Sequence, residues 1–589
     1  MRKLLLVLLL IVIISSGCIG SSPSSKTSTT TSGSITSSTG TSISPQTTTT
    51  TSPVPSNSTE TPENPETPIP SWDSNVTGMK AAQGIYVEVD PRTVLIEVII
   101  RLANSKTLKD NRPEALGISP SRYQYLKDID EYFGPYRDSR AVEIAKKLAD
   151  KGMDVGDMIY FALQLDPRDF SKAGNWEILL SKNPALSEEE LDEFARAVRD
   201  FAVESNFQKF YRAKKEFYGD VVQKFIEENP ELEEIKDLGS SYFRTNVSSW
   251  HLVLLPATSR VVYAKSFQGD EGIVLYGALG LSGEKEGIPE FHTGRGPQVE
   301  WIPAYILWMF SNPLVETVVE QNSEAIGKYQ SLYSPVEEIM RFWGINNFRE
   351  FLITTLDYVF MTHYVSSTMG PEQGEKFQWL VKSEGLYLLP SLSEVTSKEY
   401  IPNPKEYPTF PSFFPRLLNV LDTIYVETKG GEKISNAIPS PTFWDFIQSS
   451  RKSGARVIYS PRYVLEAKSL SGELELYRVP FIVKDDTNVS TEDLKGDVAI
   501  ITGPKEFLYK IFEKKLPAYF NGTVLYSKTT GRHYESVAIF RAVIPNPFDE
   551  GHFIYIEVIS EDMKHPANYP VYPLFHYMIF ENTGLVEIR

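Results

Sequence analysis

Apolar positions recur along this chain with two periods, near 3.6 and 2 residues, and the switch between them marks out its elements. Gly84-Ile-Tyr-Val-Glu-Val89 alternates like a short strand and stops at Asp90-Pro91. From Thr93 to Ala103 the period lengthens, with Val94, Leu95, Val98, Ile99 and Leu102 on one helical face. Tyr125–Phe133 and Ala141–Lys151 repeat it, the second placing Val142, Ile144, Ala145 and Leu148 together before Lys151-Gly152 stops it. Ser187 followed by Glu190 is a capping-box start for a charged helix through Phe201 and on towards Phe217. Val221–Glu228 predicts another helix before Asn229-Pro230. His251–Leu255, Arg260–Tyr263 and Gly272–Tyr276 read as strands of a small sheet, and Ile302–Phe310, Leu314–Gln321, Val336–Trp343 and Phe348–Tyr364 as helices.

Glu399–Pro415 is rich in proline and aromatic residues and reads as a buried, extended connector ahead of a helix at Arg416–Thr423. Thr428-Lys-Gly-Gly-Glu432 marks a turn and a boundary. Beyond it strands and helices alternate. Arg456–Tyr459 and Asp497–Thr502 are strand-like, Lys505–Lys514 is helical, and Thr523–Tyr526, Ser536–Phe540 and His552–Val558 are strands. The expectation is an α+β protein: a mainly helical domain with a small sheet at 79–425, a connector at 426–454 and a small α/β domain at 455–589.

The N-terminus adds an address. Met1-Arg2-Lys3 precedes an apolar run from Leu4 to Ile14, which ends in Ser15-Ser-Gly-Cys18. As a helix that run spans about 16 Å, short of the ~30 Å hydrocarbon core, so 1–17 reads as a secretory signal. Cys18 is the only cysteine and stands where a lipid anchor is attached; an uncleaved signal is the alternative tether. Residues 18–78 are dominated by Ser, Thr, Pro and Gly, which bury too little to offset the entropy of ordering, and they read as a stalk. N-glycosylation tripeptides at Asn57, Asn75, Asn246, Asn488 and Asn521 suit an extracellular surface. The body is expected at the cell membrane, lipid-anchored and facing outward.

Charge and composition then remove function classes. A net charge of −17 argues against nucleic-acid binding, which needs clustered Lys and Arg. A single cysteine leaves no internal disulfide and no thiolate metal site. Abundant Glu, Lys, Ile and Tyr fit an archaeal, thermophilic protein.

A hydrolytic zinc site needs three protein ligands, commonly two histidines one helical turn apart. None of the seven histidines stands four residues from another, so no metal and no cofactor is expected. A nucleophile-elbow Gly-x-Ser-x-Gly and a phosphate loop are also missing. Three weaker signals each have a plainer reading. Gly503-Pro504 could cradle an anion or simply start a helix. Glu316 and Glu320 could pair as carboxylates or form a solvated face. Tyr407–Phe414 could offer a sugar or peptide platform or serve as the connector.

The order of segments resembles a family catalogued as domain of unknown function 4932, secreted zinc metallopeptidases of archaea and bacteria. The resemblance runs from Tyr86-Val-Glu-Val-Asp-Pro-Arg92 through Tyr125–Phe133, Tyr136-Arg-Asp138 and Ala141-Val142. It continues past Phe310-Ser-Asn-Pro-Leu314 to Tyr407-Pro-Thr-Phe-Pro-Ser-Phe-Phe-Pro-Arg416, covering roughly 80 to 425. It implies His-Glu-x-x-His shortly before Asn312-Pro313, where this chain reads Ala304-Tyr-Ile-Leu-Trp308. It also implies a third ligand at Glu350, and a histidine in the stretch that here reads Asp138-Ser-Arg-Ala-Val142. One carboxylate cannot hold a catalytic zinc. The resemblance therefore implies a peptidase-like frame without its metal site and no catalytic residues. A groove lined by Trp301, Tyr305, Trp308 and Glu350 is left to bind a peptide, a glycan or a surface partner. The alternatives are a hydrolase with an unrecognised, carboxylate-based site, or a solute-binding lipoprotein of a transporter.

Overall fold

A computed structural model describes residues 76–589 except 270, 295–301, 432–440, 536, 561–570 and 582–583. Cys18, Asn57, Asn75 and Trp301 lie outside the described residues; Asn246, Asn488 and Asn521 are exposed. No helix among the described residues is long and apolar enough to cross a membrane.

The fold is α+β, as the two periods predict. Its first sheet is larger than the sequence suggests. β1 (Thr77–Ala82), β2 (Ile85–Val89), β3 (Val247–Ser259), β4 (Val262–Gly269) and β5 (Gly272–Leu281) lie in the order β1-β2-β3-β5-β4. β3 pairs in parallel with both β2 and β5, while the β1–β2 and β4–β5 hairpins close the edges antiparallel. Arg260 is not part of a strand: at φ 58 it belongs to the tight turn between β3 and β4.

Helix α1 (Pro91–Ala103) follows β2 directly, with Asp90 capping it by accepting from Arg92 N at 2.7 Å. It is buried all round, Glu97 and Arg101 included, and it packs over β3. The box at Ser187 forms as predicted, with Glu190 answering it. The helix ends sooner, because Asn206 takes a left-handed conformation and divides the run into Glu188–Glu204, Phe207–Ala213 and Lys215–Glu228.

Two expectations about proline are overturned. Ile302–Phe310 and Leu314–Gln321 are one helix, α2 (Ala304–Gln321), with Pro313 inside it. Proline removes one N–H and crowds the preceding turn, but ten buried residues of α2 hold the helix together across it. Likewise Phe410–Pro415 is not an extended connector. It is the opening of α5 (Phe410–Glu427), capped by Thr409 and Ser412. Between these lie α3 (Phe348–Met369) and α4 (Pro371–Ser383).

The second half carries a seven-stranded sheet. α6 (Phe443–Ser453), which falls in the expected connector, packs on it and aligns Phe443 with Tyr555 at 5.1 Å. The strands are β6 (Ala455–Tyr459), β7 (Phe481–Asp485), β8 (Asp497–Thr502), β9 (Val537–Pro545), β10 (Phe553–Ile559), β11 (Tyr577–Glu581) and β12 (Gly584–Ile588). Their order is β12-β11-β9-β10-β8-β6-β7, parallel from β10 to β7 and antiparallel beyond. α7 (Val464–Leu476) crosses between β6 and β7. On β9 and β10 the directly opposed Arg541 and Glu557 form a buried pair at 2.8 Å, which the Tyr555 hydroxyl completes by donating to Glu557.

Candidate functional site

α2 is apolar on almost every side, so its few unburied positions stand out. Ala304, Tyr305 and Trp308 are partly exposed at its N-terminal end, whereas Ile306, Leu307, Met309 and Phe310 are buried. The Tyr305 N–H donates to Thr293 O at 2.9 Å, tying the start of the helix to the segment before it.

The contacts between α2 and α3 fix their relative direction. Glu320 pairs with Arg349 at one end; Ser311 and Asn312 meet Asp357 in the middle; Phe310 lies beside Phe360. The helices are antiparallel. Trp308 and Glu320 are twelve residues apart, about 18 Å along the axis, so Glu350 sits at the far end from Tyr305 and Trp308. It neither lines a groove with them nor stands as a third ligand beside Ala304 and Trp308.

Glu350 is a helix cap instead. Asn347 Oδ1 accepts from Glu350 N at 3.0 Å, and the Glu350 carboxylate accepts from Asn346 N at 2.6 Å and from Asn347 Nδ2 at 2.9 Å. Glu350→Ala is expected to cost about 1 kcal/mol in urea unfolding. An unchanged urea midpoint in that variant would show that the cap contributes nothing.

The remaining sequence candidates also find structural partners. Glu316 is paired with Lys265 and Glu320 with Arg349, so they are not a carboxylate couple. After Gly503-Pro504 the helix begins only at Phe507, runs six residues and has Glu506 at its N-cap, which leaves no anion cradle. Phe410, Phe413 and Phe414 are buried, and Phe413 stacks on Tyr400 at 4.8 Å, so they are core and not a platform.

What surrounds Tyr305 came from segments that sequence reasoning passed over. The edge of His292 meets its ring at 6.0 Å. From α3, Tyr358 lies within electrostatic reach of Tyr305, Asp357 and Glu384 and stacks on Phe377 at 6.0 Å. Glu384 follows α4 in a turn that Gly385, at φ +128, makes feasible. The Leu574 N–H donates to Ser383 O at 2.8 Å, which brings the C-terminal segment, with Tyr572, to the same spot.

Burial shifts the ionisable groups around Tyr305. It pushes His292 below its usual value and Tyr305 above its own. Glu384 keeps some surface open but is ringed by protein, and burial pushes its carboxyl up to about 8. Burial thus favours the uncharged form of each: His292 gives up its proton more readily, and Tyr305 and Glu384 hold theirs. With Trp308 they offer donors, acceptors and aromatic faces. No three His, Cys, Asp or Glu side chains converge as a metal site among the described residues.

Just behind it, Asp357 is fully buried and accepts from Ser311 Oγ at 2.7 Å and Asn312 Nδ2 at 2.9 Å, yet burial still holds its carboxyl near 7. Asn312-Pro313 thus serves as half of a polar clamp between α2 and α3.

Fold and site together define an α+β protein in which the antiparallel helices α2 and α3 gather aromatic side chains, Tyr305 and Tyr358 with His292, at the start of α2. The family model "Domain of unknown function (DUF4932)" matches residues 85–420, and the chain belongs to that family. No curated protein and no solved structure matches it.

Proposed function

We propose that this chain is a membrane-tethered, extracytoplasmic protein that binds a peptide, a glycan or a surface partner on the aromatic cluster at the N-terminal end of α2. In this reading it does not cleave its ligand. Cys18, or an uncleaved signal, supplies the tether, and the Ser/Thr-rich stretch ahead of β1 holds the body off the membrane. The reading is supported by Ala304, Tyr305 and Trp308, which stand where the resemblance implies metal ligands and are partly exposed on an otherwise buried helix. Tyr305 and Trp308 can stack on sugar rings or apolar side chains, and protonated Glu384 can donate to a carbonyl or hydroxyl. A transporter-linked solute binder would need two similar α/β lobes, and a helical half beside a seven-stranded half does not supply them.

The test is retention of a casein digest and of soluble oligosaccharides on immobilised full-length protein, with zinc content and peptide cleavage measured in parallel. Tyr305→Ala and Trp308→Ala are each expected to weaken retention tenfold or more, with substoichiometric zinc and no cleavage. Zinc near one equivalent with metal-dependent cleavage would sink the reading.

A further inference from the structure

The opposite face of the first sheet holds a second set of reactive groups. Trp250 on β3 turns towards α2 and meets Phe310 edge-on at 5.2 Å. Alternation along the strand therefore turns Ser249 and His251 to the other face. There His251 Nδ1 lies 3.2 Å from Glu88 Oε1, and His251 Nε2 lies 3.2 Å from Ser249 Oγ. The register places Tyr86 of β2 and Tyr276 of β5 directly beside His251, and their rings stack on the imidazole at 5.0 and 4.7 Å. The ring is thus clamped on both sides, with each nitrogen committed to one partner.

The position along the strand matters as much as the connectivity. Val253 and Leu255, farther along the same face, are fully buried where α1 packs over β3. Ser249 and His251 stand before that cover and are partly exposed. Phe267 adds an apolar wall, edge-on to Tyr276 at 5.5 Å.

We propose that Ser249, His251 and Glu88 form an acyl-transfer site for small carboxylic esters with an apolar acyl group, separate from the aromatic cluster on α2 and independent of what that cluster binds. Ser249 Oγ attacks the ester carbonyl carbon while its proton passes to His251 Nε2. The ester C–O bond then breaks, and the leaving alcohol takes that proton. Water repeats the sequence to release the acid and restore Ser249. Glu88 holds the imidazole by Nδ1–H and balances the imidazolium formed in each step. The aromatic walls select the acyl group.

The test is covalent capture on the full-length protein in detergent micelles. A fluorophosphonate probe is expected to add one mass increment, mapped to Ser249, and p-nitrophenyl acetate is expected to be hydrolysed by the same preparation. Ser249→Ala, which fills nearly the same space, abolishes both. Glu88→Gln lowers the labelling rate by on the order of 10², with near-ultraviolet circular dichroism checking that each variant is folded. No label on Ser249 in the folded wild type, or unchanged ester turnover in Ser249→Ala, overturns the proposal.

Discussion

Replacing Arg541 with leucine is expected to destabilise the protein by about 3–5 kcal/mol in urea unfolding, while replacing both Arg541 and Glu557 with leucine costs far less. The pair sits on adjacent strands β9 and β10, directly opposed, with each side chain only 4% exposed. Removing the guanidinium leaves Glu557 buried with the Tyr555 hydroxyl and, among the described residues, no other cation paired with it. The carboxylate must then stay ionised without its partner or take up a proton, and both are costly in a poorly solvated site. The surroundings sharpen the effect, since Glu466 and Glu473 of α7 line a small recess with Arg541, and burial raises both carboxyls. Equal losses in the single and double variants would show that the pair acts only through packing.

Glu97→Gln is expected to change the pH dependence of stability more than its level at low pH. Glu97 lies in the middle of the fully buried helix α1, with Oε1 accepting from Ala257 N at 2.8 Å and Thr258 beside the carboxyl. Burial pushes its carboxyl from the usual 4.5 up to about 8. The folded state thus keeps a proton that the unfolded chain gives up. Between those two values the folded state binds more protons, so stability falls as pH rises and levels off above the folded value. The group's contribution is intact below about pH 4.5 and is lost by about pH 8, a change on the order of 4 kcal/mol. Asp357, held near 7, acts in the same direction over a narrower window. The glutamine variant carries no charge at either pH. Its urea midpoint should match the wild type near pH 5 and exceed it clearly at pH 9. A wild-type midpoint that is flat over this range would mean that Glu97 is ionised in the folded state throughout.

Some of this architecture could be read one segment at a time. The capping box at Ser187, the helical stripe through Val94 and Leu102, and the strand at Asp497–Thr502 all depend on neighbours within a few residues. Where a local rule failed, packing had overruled it. Asn312-Pro313 reads as a break, yet the helix passes through because its faces are buried and Asn312 is anchored on Asp357. Phe410–Pro415 reads as extended, yet its phenylalanines are wanted in the core and a helix delivers them there.

The candidate sites depend still more on long-range contacts. Tyr305 and Trp308 could be picked out as aromatic residues in place of metal ligands. Glu350 was attached to them wrongly, because sequence order does not tell whether two helices run parallel or antiparallel. Glu384 has no flanking pattern to distinguish it; only the approach of Tyr358 and the C-terminal segment removes its water. Glu88 and His251 are 163 positions apart and meet because β2 and β3 pair in one register. By itself, then, the sequence determined most of the element types, the α+β class, the family and the lack of a His-Glu-x-x-His motif, since each is written in local spacing. Tertiary structure alone decided helix direction, strand register and which ionisable groups lost their water. Those depend on which distant surfaces bury each other, and no local period records that choice.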